Sequence, residues 1–456
     1  MTSFRRRQFL KHACMACGAL GANAFSPILT NRQLFAAEGV PNNKKLIFIF
    51  QRGGNDGINT VLPSGDSEYN AQNRPSLYLP PGNAIDLGNN FAHLHPAMAP
   101  MMPIYNSTGL TGQAGPGNLA VIHRVGYANQ SRSHFDSQEY WEKGVPRDDS
   151  VRDGMFYRQL ASTTDLRAVE NAFIAASISS SQLQALKGNH PFPNFNQADD
   201  FSFVGNEEQS AKFLGELPSG KTPKGKGVRG LYANAASLPN SRYADLVHQT
   251  GQAMSNTLGT LKEAVAQGAY EPANGAVYPG GRLGDKLQEA AMLMKRTPVK
   301  VIGVNLGGFD THGNQGAANG KQANLLGDLA GAYQALYLDL QDQWDDVIIV
   351  TMTEFGRTSK ENGGGGTDHA EASTMFVAGG GVKGGVYNCD ANTWKDGDMF
   401  SKRGRYLERN TDFRGIFGDI FTRHFGDDPG ILDRVMPGYA FAKEDAPNEF
   451  KSLGFL

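Results

Sequence analysis

Asp310 and His312 stand two residues apart in N-L-G-G-F-D-T-H-G, directly after the β-branched run Val299–Val304. On extended backbone such neighbours point to the same side, so a carboxylate oxygen and an imidazole nitrogen can share one hard or borderline cation. A second pattern of this kind runs from Val347 to Val382. There a β-branched run, Val347–Thr351, leads into Thr353, Glu354 and Arg357, then four glycines, Gly363–Gly366, then Asp368 and His369. Asp56 occupies the tip of Q-R-G-G-N-D-G after the apolar run Leu46–Phe50. A carboxylate just past a strand is a common start of a metal site, and as commonly a turn cap. Ser133, in S-R-S-H-F-D-S-Q-E, offers a hydroxyl at the start of a helix reaching Lys143. It can cap that helix with Asp136 three residues on. In the positive field there it can also meet an anionic ester. Arg132 and His134 flank it and can hold an oxyanion or lie on the surface as ordinary polar groups.

Such residues act together only if strands end together. Short apolar runs predict buried strands at Leu46–Phe50, Leu119–His123, Asn171–Ile178, Val299–Val304, Val347–Thr351 and Thr374–Ala378. Helical periodicity covers Tyr243–Ala266, Leu283–Lys295, Ala323–Trp344 and Thr411–Phe425. His95-Pro96 opens a short Met-rich helix to Tyr105, where His95 reads as structural. Strands interleaved with helices make an α/β protein, whose ligands belong in the crevice outside the carboxyl ends of the strands. Residues 184–240 break the pattern with Pro, Asn, Gly and Lys and read as an insertion or cap over the sheet, while 384–410 reads as loop and hairpin. The lysines of G-K-T-P-K-G-K-G carry no phosphate-loop pattern.

Composition narrows the field. At 456 residues, 40% apolar and 19% charged, the chain is globular, and its net charge of −2 argues against general nucleic-acid binding. No stretch after residue 45 is apolar for long enough to span a bilayer. Residues 1–40 stand apart as a leader. S-F-R-R-R-Q-F-L-K followed by the small-residue segment His12–Ala24 is the pattern of a twin-arginine export signal, a plain basic arm being the alternative. Cleavage fits after Ala24 or near Ala36–Ala37. Loss of residues 1–24 removes four basic and no acidic side chains, moving the charge from −2 to −6. Cys14 and Cys17 form C-x-x-C inside this leader, so Cys389 alone remains, without an internal disulfide or a cysteine-type zinc site.

The order Asp56, Ser133, Asp310 with His312, Glu354, Asp368 with His369 resembles the alkaline phosphatase and sulfatase superfamily. More closely, R-G-G-N-D-G, R-S-H-F-D, G-G-F-D-T-H, T-E-F-G-R and D-H together resemble a family of secreted twin-arginine proteins catalogued as domain-of-unknown-function fifteen-oh-one. The resemblance implies one domain over residues 41–456, an alkaline phosphatase-like three-layer sandwich whose mostly parallel sheet carries helices on both faces. It implies one or two divalent metal ions, Zn first, with Mg, Ca or Mn as alternatives. Asp56 and Glu354 would hold one, Asp310, His312 and His369 the other, with Asp368 compensating where Glu354-Phe355 replaces Asp-His. Ser133 would be the nucleophile, or a metal-bound water would attack with Ser133 only binding, and Arg132 or Arg357 would clamp oxygens.

Two readings follow. One is an exported metal-dependent hydrolase of phosphate or sulfate esters, periplasmic or extracellular, acting on a small-molecule or glycan ester, with the twin-arginine machinery as its other partner. The other is a catalytically inactive exported binding or assembly protein on the same fold. The missing imidazole favours the second, and the retained nucleophile and convergent titratable groups favour the first.

Overall fold

Strand β1 (Lys45–Arg52) is buried on both sides and divides the core. Ile47 and Ile49 pack into one apolar cluster, with Leu261, Leu287, Leu293, Leu329, Tyr333 and Leu336. Leu46, Phe48 and Phe50 pack into another, with Trp141, Phe156, Leu160, Phe413 and Phe417. Alternation along a strand sends successive side chains to opposite faces, so helices must cover both. The computed structural model, which describes residues 43–106, 117–198, 242–395, 397–401 and 404–456, has that form. The leader and residues 199–240 of the expected insertion lie outside the described residues.

Among the described residues, nine strands form the central sheet. In chain order they are β1, β2 (Leu119–Gly126), β3 (Ala175–Ile178), β4 (Asn194–Phe195), β5 (Val301–Gly307), β6 (Val347–Met352), β7 (Ser373–Ala378), β8 (Gly385–Tyr387) and β9 (Thr411–Asp412). Their spatial order is β8-β2-β7-β6-β1-β5-β3-β4, with β9 beside β2. Strands β6, β1, β5, β3 and β4 run parallel, whereas β7 is antiparallel to both β6 and β2. Helices α1 (Gly57–Thr60), α2 (His134–Lys143), α3 (Met155–Thr163), α4 (Arg242–Ala266), α5 (Arg282–Arg296), α6 (Lys321–Asp339) and α7 (Phe413–Asp419) complete the frame. The cluster holding Ile47 draws on α4, α5 and α6, and the one holding Phe48 on α2, α3 and α7. The protein is therefore α/β, with a mixed, mostly parallel sheet between helices, compatible with a three-layer sandwich.

The topology sets the location of the polar segments. Strands β1, β5 and β6 leave the sheet along one edge, and the loops carrying Asp56, Asp310 with His312, and Glu354 with Arg357 begin there. Because β7 runs the other way, the same edge is where the chain enters it, just after Asp368 and His369. Strand β2, antiparallel to β7, leaves there as well and leads to Ser133 and His134.

Some elements differ from the sequence reading. The third strand begins at Ala175 and not Asn171. Strand β8 pairs in parallel with β2, so the expected hairpin near residue 385 does not form. Helix α6 stops at Asp339, a fully buried carboxylate that accepts from Tyr270, Tyr278, the Ala273 amide and Lys295, and a 3-10 turn, Gln341–Asp346, follows. The helix expected over Thr411–Phe425 begins at Phe413, turns from α to π geometry over Ile420–His424, and is followed by short helices at Leu432–Val435 and Tyr439–Asp445.

Gly53 and Gly54 allow the loop after β1 to pass close to those after β5 and β6. Gly53 has φ +115, and a Cβ there would meet the Asp310 amide nitrogen at 2.4 Å. A Cβ on Gly54, φ +79, would meet the Phe355 ring at 2.5 Å. Only glycine tolerates both the backbone and the approach. Gly53→Ala is expected to lower stability by about 2–4 kcal/mol, read from the urea unfolding midpoint. A loss below about 0.5 kcal/mol, the level of a neutral surface change, would contradict the packing described.

Candidate metal centre

His134 is the first residue of α2. Ser133 caps that helix, its hydroxyl accepting from the Asp136 amide at 3.4 Å. The cap fixes where the helix begins, and so where the His134 ring points. His312 follows the β5 loop, which pairs with the glycine run through Asn314 to Gly364 and Gln315 to Gly365. His369 sits in an isolated bridge to Arg357 just before β7.

These three rings converge on Asp310. Asp310 Oδ1 lies 3.2 Å from His312 Nε2 and 3.2 Å from His369 Nε2, and the two imidazole nitrogens are 2.9 Å apart. His134 Nε2 is 3.5 Å from Asp310 Oδ2. His134, Asp310 and His369 each offer an atom within 4.8 Å of the others. Ligands bound tetrahedrally at about 2.1 Å stand about 3.4 Å apart, which is the scale seen here.

The other nitrogen of each ring settles which lone pairs face inward. His134 Nδ1 meets Glu354 Oε1 at 2.8 Å, His312 Nδ1 meets Asp368 Oδ1 at 3.1 Å, and His369 Nδ1 meets the Arg132 carbonyl at 2.8 Å. All three partners are acceptors, so each Nδ1 carries the hydrogen and donates it. In the neutral ring each Nε2 then carries the lone pair, and all three face the carboxylate of Asp310. Arg357 donates to Asp310 Oδ1 from one side, and a cation or proton among the imidazole nitrogens would relieve the remaining repulsion between their lone pairs and the carboxylate. His134 Nε2 is buried and makes no hydrogen bond, which fits a coordinating atom better than a structural one. An outer acceptor on each ring is the usual support of metal-binding histidine.

Electrostatics follow this wiring. Partial burial would raise the Asp310 carboxyl, but the hydrogen bond and charge of Arg357, with help from His369 and His134, bring it down to about 2. His134 is pushed up, chiefly by its hydrogen bond to Glu354. His369 is pushed down, first by burial and then by the charge of Arg357. Glu354 is fully buried; its hydrogen bonds from His134, Gln138 and the Gly53 amide outweigh burial and keep it below its ordinary value. Phe355 packs beneath the rings of His134 and His369, with centroids 4.8 and 4.7 Å away.

Several site assignments made from the sequence change. His134, expected near the catalytic oxyanion, joins Asp310, His312 and His369 among the convergent groups. Glu354 and Asp368, expected as ligands, instead orient His134 and His312. Glu354 Oε1 is already engaged by three donors, and Asp368 is held by Asn362 and Arg405. Asp56 is not in the cluster. Its carboxylate caps α1 and pairs with Arg74 at 2.7 Å, both side chains fully buried, and Gln315 fills its remaining valence. Arg357 is no substrate clamp, since it is buried and donates to the carbonyls of Gly53, Gly54, Phe309 and Thr367 as well as to Asp310. Ser133 and Arg132 sit at the rim. Among the described residues the geometry builds one centre, and no second one around Asp56 and Glu354.

Two partners lacked an obvious sequence signal. Gln138 lies one helical turn from His134 and shares Glu354 with it, so its i,i+4 spacing offered a hint. Arg74 comes from a Pro- and Asn-rich loop with no periodicity to mark it.

The family described as "Protein of unknown function (DUF1501)" matches residues 43–398. The chain belongs to that family. The family match takes in all four convergent residues and ends before β9 and α7. No curated protein matches the chain.

Asp310→Asn and His134→Ala are expected to abolish tight zinc binding, measured by competition with a chromogenic chelator. Glu354→Gln and Asp368→Asn, which leave every inward atom in place, should weaken it by about 10–100-fold. Wild-type affinity in both would remove the orienting role assigned to these carboxylates.

Proposed function

We propose that this protein is an exported, metal-dependent hydrolase of phosphate or sulfate esters built on an alkaline phosphatase-like scaffold. The observation that carries the reading is the convergence of His134, His312 and His369 Nε2 on Asp310, each ring wired from behind by an acceptor. Two imidazoles and one carboxylate, His134, His369 and Asp310, with the His312 ring 3.2 Å from Asp310, suit Zn, or Mn as an alternative, better than the all-oxygen preferences of Mg or Ca. Asp310 and His312 side chains are each 48% exposed, so the centre is open enough to admit water or substrate.

A divalent ion held there would supply Lewis acidity and would make a nearby water easier to deprotonate. The chain's own groups do the rest. Asp310 stays ionised across the working pH range because Arg357 holds its carboxyl at about 2. Ser133 precedes His134 at the positive end of α2 and serves as nucleophile or as a substrate-binding hydroxyl. The leader sequence supports export by the twin-arginine route to the periplasm or beyond, and among the described residues no helix is long and apolar enough to cross a membrane.

Purified protein should contain zinc and release nitrophenol from nitrophenyl phosphate or sulfate, and a chelator should abolish that release. Ser133→Ala should then cost about 100-fold or more in kcat if Ser133 is the nucleophile, and less than about threefold if water attacks. Absence of both metal and turnover would end the hydrolase reading. Replacing Arg5, Arg6 and Arg7 together by Lys should leave the precursor in the cytoplasm, read by cell fractionation. Undiminished export would sink the twin-arginine assignment.

A further inference from the structure

We infer that Arg132 and Arg405, braced on Tyr406, form an anion-binding rim beside the metal centre, and that it takes the tetrahedral oxyanion of a phosphate or sulfate ester. The inference rests on the hydrolase reading for its ester but not for its anion.

Both arginines touch the supports of the histidines. The Arg132 carbonyl accepts from His369 Nδ1 at 2.8 Å. Arg405 reaches Asp368 Oδ2 at 3.4 Å, and the other oxygen of that carboxylate orients His312. Neither guanidinium is consumed by the fold. Arg132 is exposed and donates to the Tyr406 hydroxyl at 2.6 Å, while the Arg405 side chain is 60% exposed. Arg357 and Arg74, by contrast, are buried and bound on several sides. An exposed pair such as Arg405 with Asp368 adds little to stability, so the fold alone gives little reason for a guanidinium there.

Tyr406 gives the rim its shape. It is buried, and the guanidinium carbons of Arg132 and Arg405 lie 5.1 and 5.9 Å from its ring centroid. Stacking on one ring limits the rotamers of two long side chains, which reduces the ordering cost when an anion arrives. The fork of a guanidinium matches two oxygens of a phosphate or sulfate.

Charge balance points the same way. Around the histidines, Asp310 pairs with Arg357 and Asp368 with Arg405, Glu354 holds His134, and the Arg132 guanidinium stands nearby on Tyr406, so three carboxylates face three guanidiniums. A bound divalent cation therefore leaves the site with its full positive charge, which an anionic ligand neutralises. The amino end of α2, beginning at His134, adds a partial charge of the same sign.

The test uses the full, metal-loaded protein and inorganic phosphate or sulfate, with binding read by calorimetry at low ionic strength. Arg405→Ala and Arg132→Ala should each weaken the tighter-bound anion by roughly tenfold. Arg405→Lys should recover part of the loss, and zinc content and melting temperature should match wild type. The tighter-bound anion names the ester. An anion affinity within about twofold of wild type in Arg405→Ala, or no anion binding by the wild type, overturns the rim. Arginine-dependent anion binding without ester turnover would uphold the rim and reject hydrolysis. Ester turnover with unchanged KM in Arg405→Ala would do the reverse.

Discussion

One buried guanidinium ties the functional edge of the sheet together. Arg357 donates to the carbonyls of Gly53 and Gly54 beyond β1, of Phe309 beyond β5, and of Thr367 ahead of β7, and to the carboxylate of Asp310. Those carbonyls belong to irregular backbone at a sheet edge, where no ladder satisfies them, and a buried unpaired carbonyl is costly. The same side chain thus solves a folding problem and sets a charge. It fastens three loops into one surface and keeps Asp310 ionised where three imidazoles meet. Its full burial explains why it cannot also clamp a substrate.

Around that pin the carboxylates divide into two kinds. Asp310 is half exposed and, besides accepting from Arg357, faces the Nε2 atoms of the histidines. Glu354, Asp368 and Asp56 face donors, and each holds something else in position: an imidazole, an imidazole and a helix start, respectively. A carboxylate has about four lone-pair sites. Asp56 spends its own on two amides, Arg74 and Gln315, and Glu354 gives one oxygen to three donors. Metal centres need such outer groups, because a ring free to rotate loses the geometry that makes it a ligand. The Phe355 ring beneath His134 and His369 restricts them further, and its place in T-E-F-G-R is explained by packing rather than by loss of a ligand.

The comparison with the sequence reading runs along the same division. Strand positions, the α2 cap and the Asp310–His312 doublet were legible, because each depends on neighbours a few residues away. The role of Glu354 was not. A glutamate after a strand looks the same in sequence whether it meets a cation or the Nδ1 of a histidine more than two hundred residues earlier. His134 reads in sequence as an oxyanion holder or an ordinary surface group, because the helix start is visible there while its distance to Asp310 is not. Arg74 was missed altogether, since nothing local distinguishes an arginine that will be buried against Asp56 from one in solvent.

By itself the sequence determined the α/β alternation, the glycine hinge after the first strand, the export-type leader pattern and the segments in which polar chemistry is concentrated. These are properties of short covalent spans, governed by backbone freedom and the two-residue and 3.6-residue periods. The tertiary structure alone decided which polar atoms face one another. That choice follows from the antiparallel entry of β7 between β6 and β2, which brings His369 to the edge where β1, β5 and β6 end. Only there do His134, Asp310 and His369 come together, with His312 beside Asp310 and His369, and only there does each neighbouring acceptor hold one nitrogen of its ring.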